Sequence, residues 1–125
     1  MEEELKPLLW VASSKKDLLE MPKDVRVDFG HGLWEAQRGE MPSIGKVLSG
    51  LGGANVVELK TDTGEGTFRA VYTVQFKEVI IVLHAFQKKS KKGKETPKQD
   101  MELIHSRLKI AKEMFEEWKK KRGKK

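Results

Sequence analysis

The chain predicts an α+β domain, a small antiparallel β-sheet packed against helices with a long C-terminal helix. Three observations predict it. Strand-like runs between residues 56 and 86 are separated by two short turns, and an apolar stripe at 3- and 4-residue steps follows a strong helix start near residue 96. The N-terminal half reads as one short strand followed by helix.

Leu8 to Ala12 is an apolar run bounded by Pro7 and Ser13-Ser14, which predicts a buried strand. Ser13 or Ser14 is placed to cap a short helical turn over Lys15 to Glu20. A longer helix follows Pro22, because Val25, Phe29, Leu33 and Ala36 fall on one face, although Gly30 and Gly32 lower its propensity. Residues 41 to 53 hold Gly45, Gly50, Gly52 and Gly53 and predict a loop with one helical turn at Ile44 to Leu48.

Val57, Leu59 and Thr61 alternate with Glu58 and Lys60, and the turn Asp62 to Gly66 leads into Thr67 to Phe76. Lys77-Glu78 then leads into Val79 to Phe86, so the segment is a three-stranded antiparallel meander. Thr96 can cap the last helix, with Pro97 in its first turn and Gln99 completing a capping box. Met101, Ile104, Leu108, Ala111, Phe115 and Trp118 form its sheet-facing stripe, leaving Arg107, Lys112 and Glu116 to water.

With 125 residues and 38% hydrophobic residues, one core is expected, as a domain over residues 1–118 with a basic tail over 119–125. The absence of cysteine excludes disulfides, thiol nucleophiles and zinc-thiolate clusters. No apolar run reaches the ~20 residues of a membrane span, and MEEELKP is acidic, so a cytoplasmic protein without a membrane partner is expected. Gly45-Lys46 is followed by Val47 and makes no phosphate loop. His31, His84 and His105 are far apart, and neither a metal nor another cofactor is expected.

The formal charge of +6 is unevenly spread. Lys88 to Lys98 carries +5 and Lys119 to Lys125 carries +6, which leaves the other 107 residues near −5. Such concentration suits an anion-binding surface, though lysine runs also serve as solvated loops. Arg69 shares strand parity with Val71, Thr73 and Gln75 and is expected to point away from the core. Lys88 and Lys89 follow at the next strand's end, where they can converge with Arg69 on a phosphate.

A site of this kind can cleave RNA by orienting the 2′-OH for in-line attack and stabilising the added negative charge. His84, Glu58, Tyr72 or a lysine is available for proton transfer. Each has a plainer role as well. Arg69 and Glu58 can form a surface ion pair, Tyr72 suits the core, and His84 can be a hydrogen-bonded structural residue.

The run TFRAVYTVQFKEVIIVLHAFQKKSKKGKETPKQDMELIHSRLKIAKE resembles the phage-derived branch of the RelE/HigB toxins of bacterial type II toxin-antitoxin systems. VVELKTDTGEGTFRAVY is similar to the "ELR…YR" double strand of that group, and HAFQKKSKKGKETP to its "HxFxKK…TP" segment. The resemblance implies a RelE/ParE-like fold and a ribosome-dependent mRNA endonuclease, an mRNA interferase that inhibits translation and is neutralised by a cognate helix-turn-helix antitoxin. It also implies that Arg69 meets the scissile phosphate, with Lys88 and Lys89 as the basic pair beside it, and His84 joins them as a catalytic candidate for proton transfer. Lys60 takes the place of the arginine in "ELR" and, with the loop lysines Lys91, Lys92 and Lys94 and with Lys98 at the helix start, would bind RNA. Two other functions stay open: a ParE-like toxin that binds DNA gyrase without nuclease activity, and an inactive basic nucleic-acid-binding relative.

Overall fold

A computed structural model describes residues 4–53, 55–88 and 95–123. The elements in chain order are β1 (Leu8–Trp10), α1 (Ser14–Leu19), α2 (Lys23–Gln37), β2 (Gly45–Leu48), β3 (Val56–Thr63), β4 (Gly66–Thr73), β5 (Ile80–Lys88) and α3 (Lys98–Gly123). The five strands form one sheet in the order β1-β5-β4-β3-β2. The expected β3-β4-β5 meander is its centre, with both pairings antiparallel.

Two edge strands extend the meander. β1 lies parallel to β5, so the sheet is mixed. β2 lies antiparallel to β3, where the sequence predicted a loop with a helical turn. Gly45 makes this pairing possible: a Cβ there would approach Val57 Cγ1 to 3.1 Å and Pro42 O to 3.3 Å.

Alternation in the strands gives the sheet two apolar faces. α1 and α2 cover one, where Leu18, Val25, Phe29, Leu33 and Ala36 meet Val57, Leu59, Phe68, Ala70, Tyr72, Ile80 and Val82. α3 covers the other, where Ile104 and Ala111 meet Val11, Val56, Val71, Ile81 and Leu83. α2 tolerates Gly32 because the helix comes close to β3 there, its missing Cβ lying 3.1 Å from Leu59 Cδ1.

A bulge in β5 decides which way its last residues point. Tyr72 pairs with Val82 but Val71 pairs with His84, leaving Leu83 as the extra residue. Leu83 and His84 therefore both face α3, and Ala85 returns to the α2 side. Strict alternation left the orientation of His84 open, and the bulge settles it.

α3 runs to Gly123, so Lys119 to Arg122 of the predicted tail form its last turn and complement the helix dipole. Lys124 and Lys125 lie outside the described residues. Among the described residues no helix is long and apolar enough to cross a membrane.

Candidate active site

The α3 side of the sheet collects the polar residues of β3, β4 and β5 at the end where α3 begins. Glu58 pairs across β3-β4 with Val71, Lys60 with Arg69, and Arg69 in turn with Phe86 of β5. Arg69 was expected to point away from the core. It does turn from the α2 core, but α3 builds a second core over that face, and Arg69 is left only 1% exposed.

Its guanidinium forms an ion pair with Glu58, Nη1 lying 2.8 Å from Oε1, and Glu58 is fully buried. The expected Glu58–Arg69 pair is therefore present, in the interior instead of on the surface. Thr96 completes the group. Its hydroxyl donates to Glu58 Oε2 at 2.6 Å and accepts from Arg69 Nη1 at 3.3 Å. Two opposite charges held so tightly out of water are sustained by hydrogen bonds to the remaining oxygens as well as by their attraction.

Lys88, 7% exposed, ends β5 on the same side and donates from Nζ to the carbonyl of Glu95 at 2.7 Å. Lys60 is less enclosed and lies 4.0 Å from Asp62. Lys98 stands exposed at the first turn of α3. The other predicted lysines, Lys89, Lys91, Lys92 and Lys94, lie outside the described residues.

His84 belongs to a second, adjoining group. Nε2 is 2.7 Å from Asp100 Oδ1, Nδ1 is 3.4 Å from Arg107 Nη1, and the Phe86 ring stacks on the imidazole with centroids 4.6 Å apart. Burial holds the His84 pKa below its usual 6.5, against the opposing pull of Asp100. Both ring nitrogens are occupied. Arg107 also donates to Leu83 O at 2.9 Å and reaches Ser13 Oγ at 3.4 Å, and Ser13 donates to Asp17 Oδ2.

Arg107 is thus buried, where the helical stripe had left it to water. Its spacing explains this: residue 107 lies three after Ile104 and four before Ala111, inside the stripe. Thr96, Asp100 and Arg107 are the residues that sequence reasoning missed as partners of the site. Thr96 was read as a helix cap, but its hydroxyl turns back to the sheet. Tyr72 lies on the α2 side in the core, where burial and then Glu35 push its pKa up.

This geometry joins a buried arginine-carboxylate-hydroxyl cluster to a lysine and a histidine-carboxylate pair. The cluster brings two cationic side chains and a carboxylate to one end of the sheet. Among the described residues no group of three or more His, Asp or Glu side chains is arranged to hold a metal ion.

The fold is RelE-like. It is similar to the structure of a free-state mutant of the E. coli toxin RelE, with a TM-score of 0.52 and 18% identity over 66% of this chain and 83% of that one. The RelBE2 toxin-antitoxin complex from Mycobacterium tuberculosis is matched with a TM-score of 0.48 and 14% identity, over 71% of this chain and 98% of that chain. The family described as Phage derived protein Gp49-like (DUF891) matches residues 16–109, and the chain belongs to it. No curated protein matches the chain.

Proposed function

We propose that this protein is the toxin of a type II toxin-antitoxin system and cleaves ribosome-bound mRNA without a metal. The observation that carries the reading is the placement of Arg69, Glu58 and Lys88 on one face of a RelE-like sheet, at its junction with α3. The toxin name of the E. coli relative and the HAFQKK…TP segment of this sequence support it.

Arg69, Lys88 and Lys89 stabilise the negative charge that develops on the scissile phosphate. Glu58 takes the proton of the RNA 2′-OH, since it is the carboxylate beside Arg69 while Tyr72 faces the other core. The 2′-oxygen attacks phosphorus and the 5′-oxygen leaves, taking a proton from water, to give a cyclic phosphate and a 5′-hydroxyl. His84 acts as a positioning residue that ties α3 to β5 through Asp100 and Arg107. Lys60, Lys98, Lys91, Lys92 and Lys94 hold the RNA backbone. A cognate antitoxin, by the same resemblance a helix-turn-helix protein, neutralises the toxin in the cytoplasm.

The test is to induce the protein in a bacterial host and map mRNA 5′ ends before and after. The paired variant Glu58→Gln/Arg69→Gln runs alongside, because it removes both charges without stranding either. New cleavages within coding regions that vanish in the variant support the endonuclease. Growth arrest with intact mRNA sinks it and points to a gyrase-type target.

A further inference from the structure

Arg69 and Lys88 are not open to solvent, and a single short segment engages both. Glu95 offers its carbonyl to Lys88 Nζ, while Thr96 places its hydroxyl between Glu58 and Arg69. The first helical bond of α3 runs from the Met101 amide to the Pro97 carbonyl, so Thr96 lies just before the helix, yet its hydroxyl meets Glu58 and Arg69 of the sheet.

The chemistry of the contacts matches that of the substrate. A hydroxyl that donates to a carboxylate and accepts from a guanidinium stands as a ribose 2′-OH must stand to lose its proton beside a cation. A carbonyl oxygen on Lys88 Nζ stands where a phosphate oxygen would. We propose that Glu95–Pro97 is an autoinhibitory strap, which fills the Arg69 site with oxygens of the chain itself until an RNA phosphodiester displaces them. The inference rests on the endoribonuclease reading for the identity of the displacing ligand.

Displacement has a clear direction. A neutral hydroxyl and carbonyl are weaker partners for Arg and Lys than an anionic phosphate, which makes shorter, charge-assisted bonds. Without substrate the strap keeps the buried Glu58–Arg69 pair hydrogen-bonded. The apparent affinity for RNA is lowered by the small fraction of molecules in which the strap is open.

The experiment uses the full chain and two probes, a fluorescent single-stranded RNA oligonucleotide and inorganic pyrophosphate. They are titrated into wild type, Thr96→Val and Thr96→Ser at low salt. Valine keeps the shape but loses both hydrogen bonds, so it should tighten binding by about fivefold, whereas serine should match wild type. The gain should disappear when Thr96→Val is placed in the Glu58→Gln/Arg69→Gln background.

Tighter binding of both probes supports the strap together with the RNA reading. Tighter binding of pyrophosphate alone supports the strap and removes RNA as its ligand. Unchanged or weaker binding of both probes by folded Thr96→Val overturns the strap, as does a gain that survives in the Glu58→Gln/Arg69→Gln background. Circular dichroism and urea unfolding establish that the valine variant is folded.

Discussion

Arg107 Nη1 lies 3.4 Å from His84 Nδ1, and a guanidinium can only donate. The imidazole therefore accepts at Nδ1 and donates from Nε2 to Asp100, which fixes one neutral tautomer of a buried histidine between two residues of α3. The same guanidinium holds the Leu83 carbonyl beside the β5 bulge. The irregularity in the sheet and the docking of the helix are thus one structure.

Stability should fall as the solution is acidified through the histidine range. Burial depresses the His84 pKa, Arg107 adds to this, and Asp100 and Asp17 oppose it. The unfolded chain then binds the proton more readily than the native one. The contribution is full above the unfolded value near 6.5 and is lost as pH falls through the lower folded value. Urea midpoints at about pH 7.5 and about pH 5.5 should differ more in wild type than in His84→Gln.

Replacing Arg69 alone by Ala should cost about 3–5 kcal/mol, because it strands a fully buried Glu58 carboxylate. The paired change Glu58→Gln/Arg69→Gln should cost clearly less. Urea unfolding of the two variants measures the difference, and equal losses would contradict the buried-pair description.

Arg107→Met keeps the apolar stem of the side chain but removes its hydrogen bonds to Leu83 and Ser13. The expected loss is about 1.5–3 kcal/mol, the range for a hydrogen bond to a charged group. Amide hydrogen exchange should also quicken around His84, since its anchor to the middle of α3 is gone.

The two central glycines of α2 should respond differently to alanine. A Cβ at Gly30 meets nothing within 4 Å, so Gly30→Ala should stabilise by about 0.5–1 kcal/mol. At Gly32 a Cβ comes within 3.1 Å of Leu59, whose side chain would have to shift, and the helical gain should be cancelled or reversed. Thermal midpoints of the two variants compare them directly.

RNA binding should weaken steeply with salt, with a log-log slope of about −0.7 for each phosphate neutralised on a single strand. Lys60→Gln and Lys98→Gln should each reduce that slope by about one such step. A slope unaffected by either change would place the RNA elsewhere.

The strands and helices whose side chains repeat with a clear period are legible in the amino-acid order. The β3-β4-β5 meander, the α2 face from Val25 to Ala36 and the α3 stripe all follow from local alternation or helical spacing, which neighbouring residues impose on one another. The Glu58–Arg69 pair was also within reach, because both residues lie on adjacent strands of a hairpin. β2 was not, since a four-residue edge strand that opens on a glycine gains its order from pairing with β3.

The burial of the charged residues follows from long-range packing. Arg69 and Arg107 read as solvent-facing because guanidinium groups carry a high desolvation cost, and that cost is met here by Glu58, Thr96 and the Leu83 carbonyl, partners from distant segments. The orientation of His84 was set by a single extra residue in β5, which reverses the alternation for every side chain after it. Thr96 had one hydroxyl and two places to use it, the helix start or the sheet. α3 brings it over the sheet, where a buried carboxylate is the stronger acceptor.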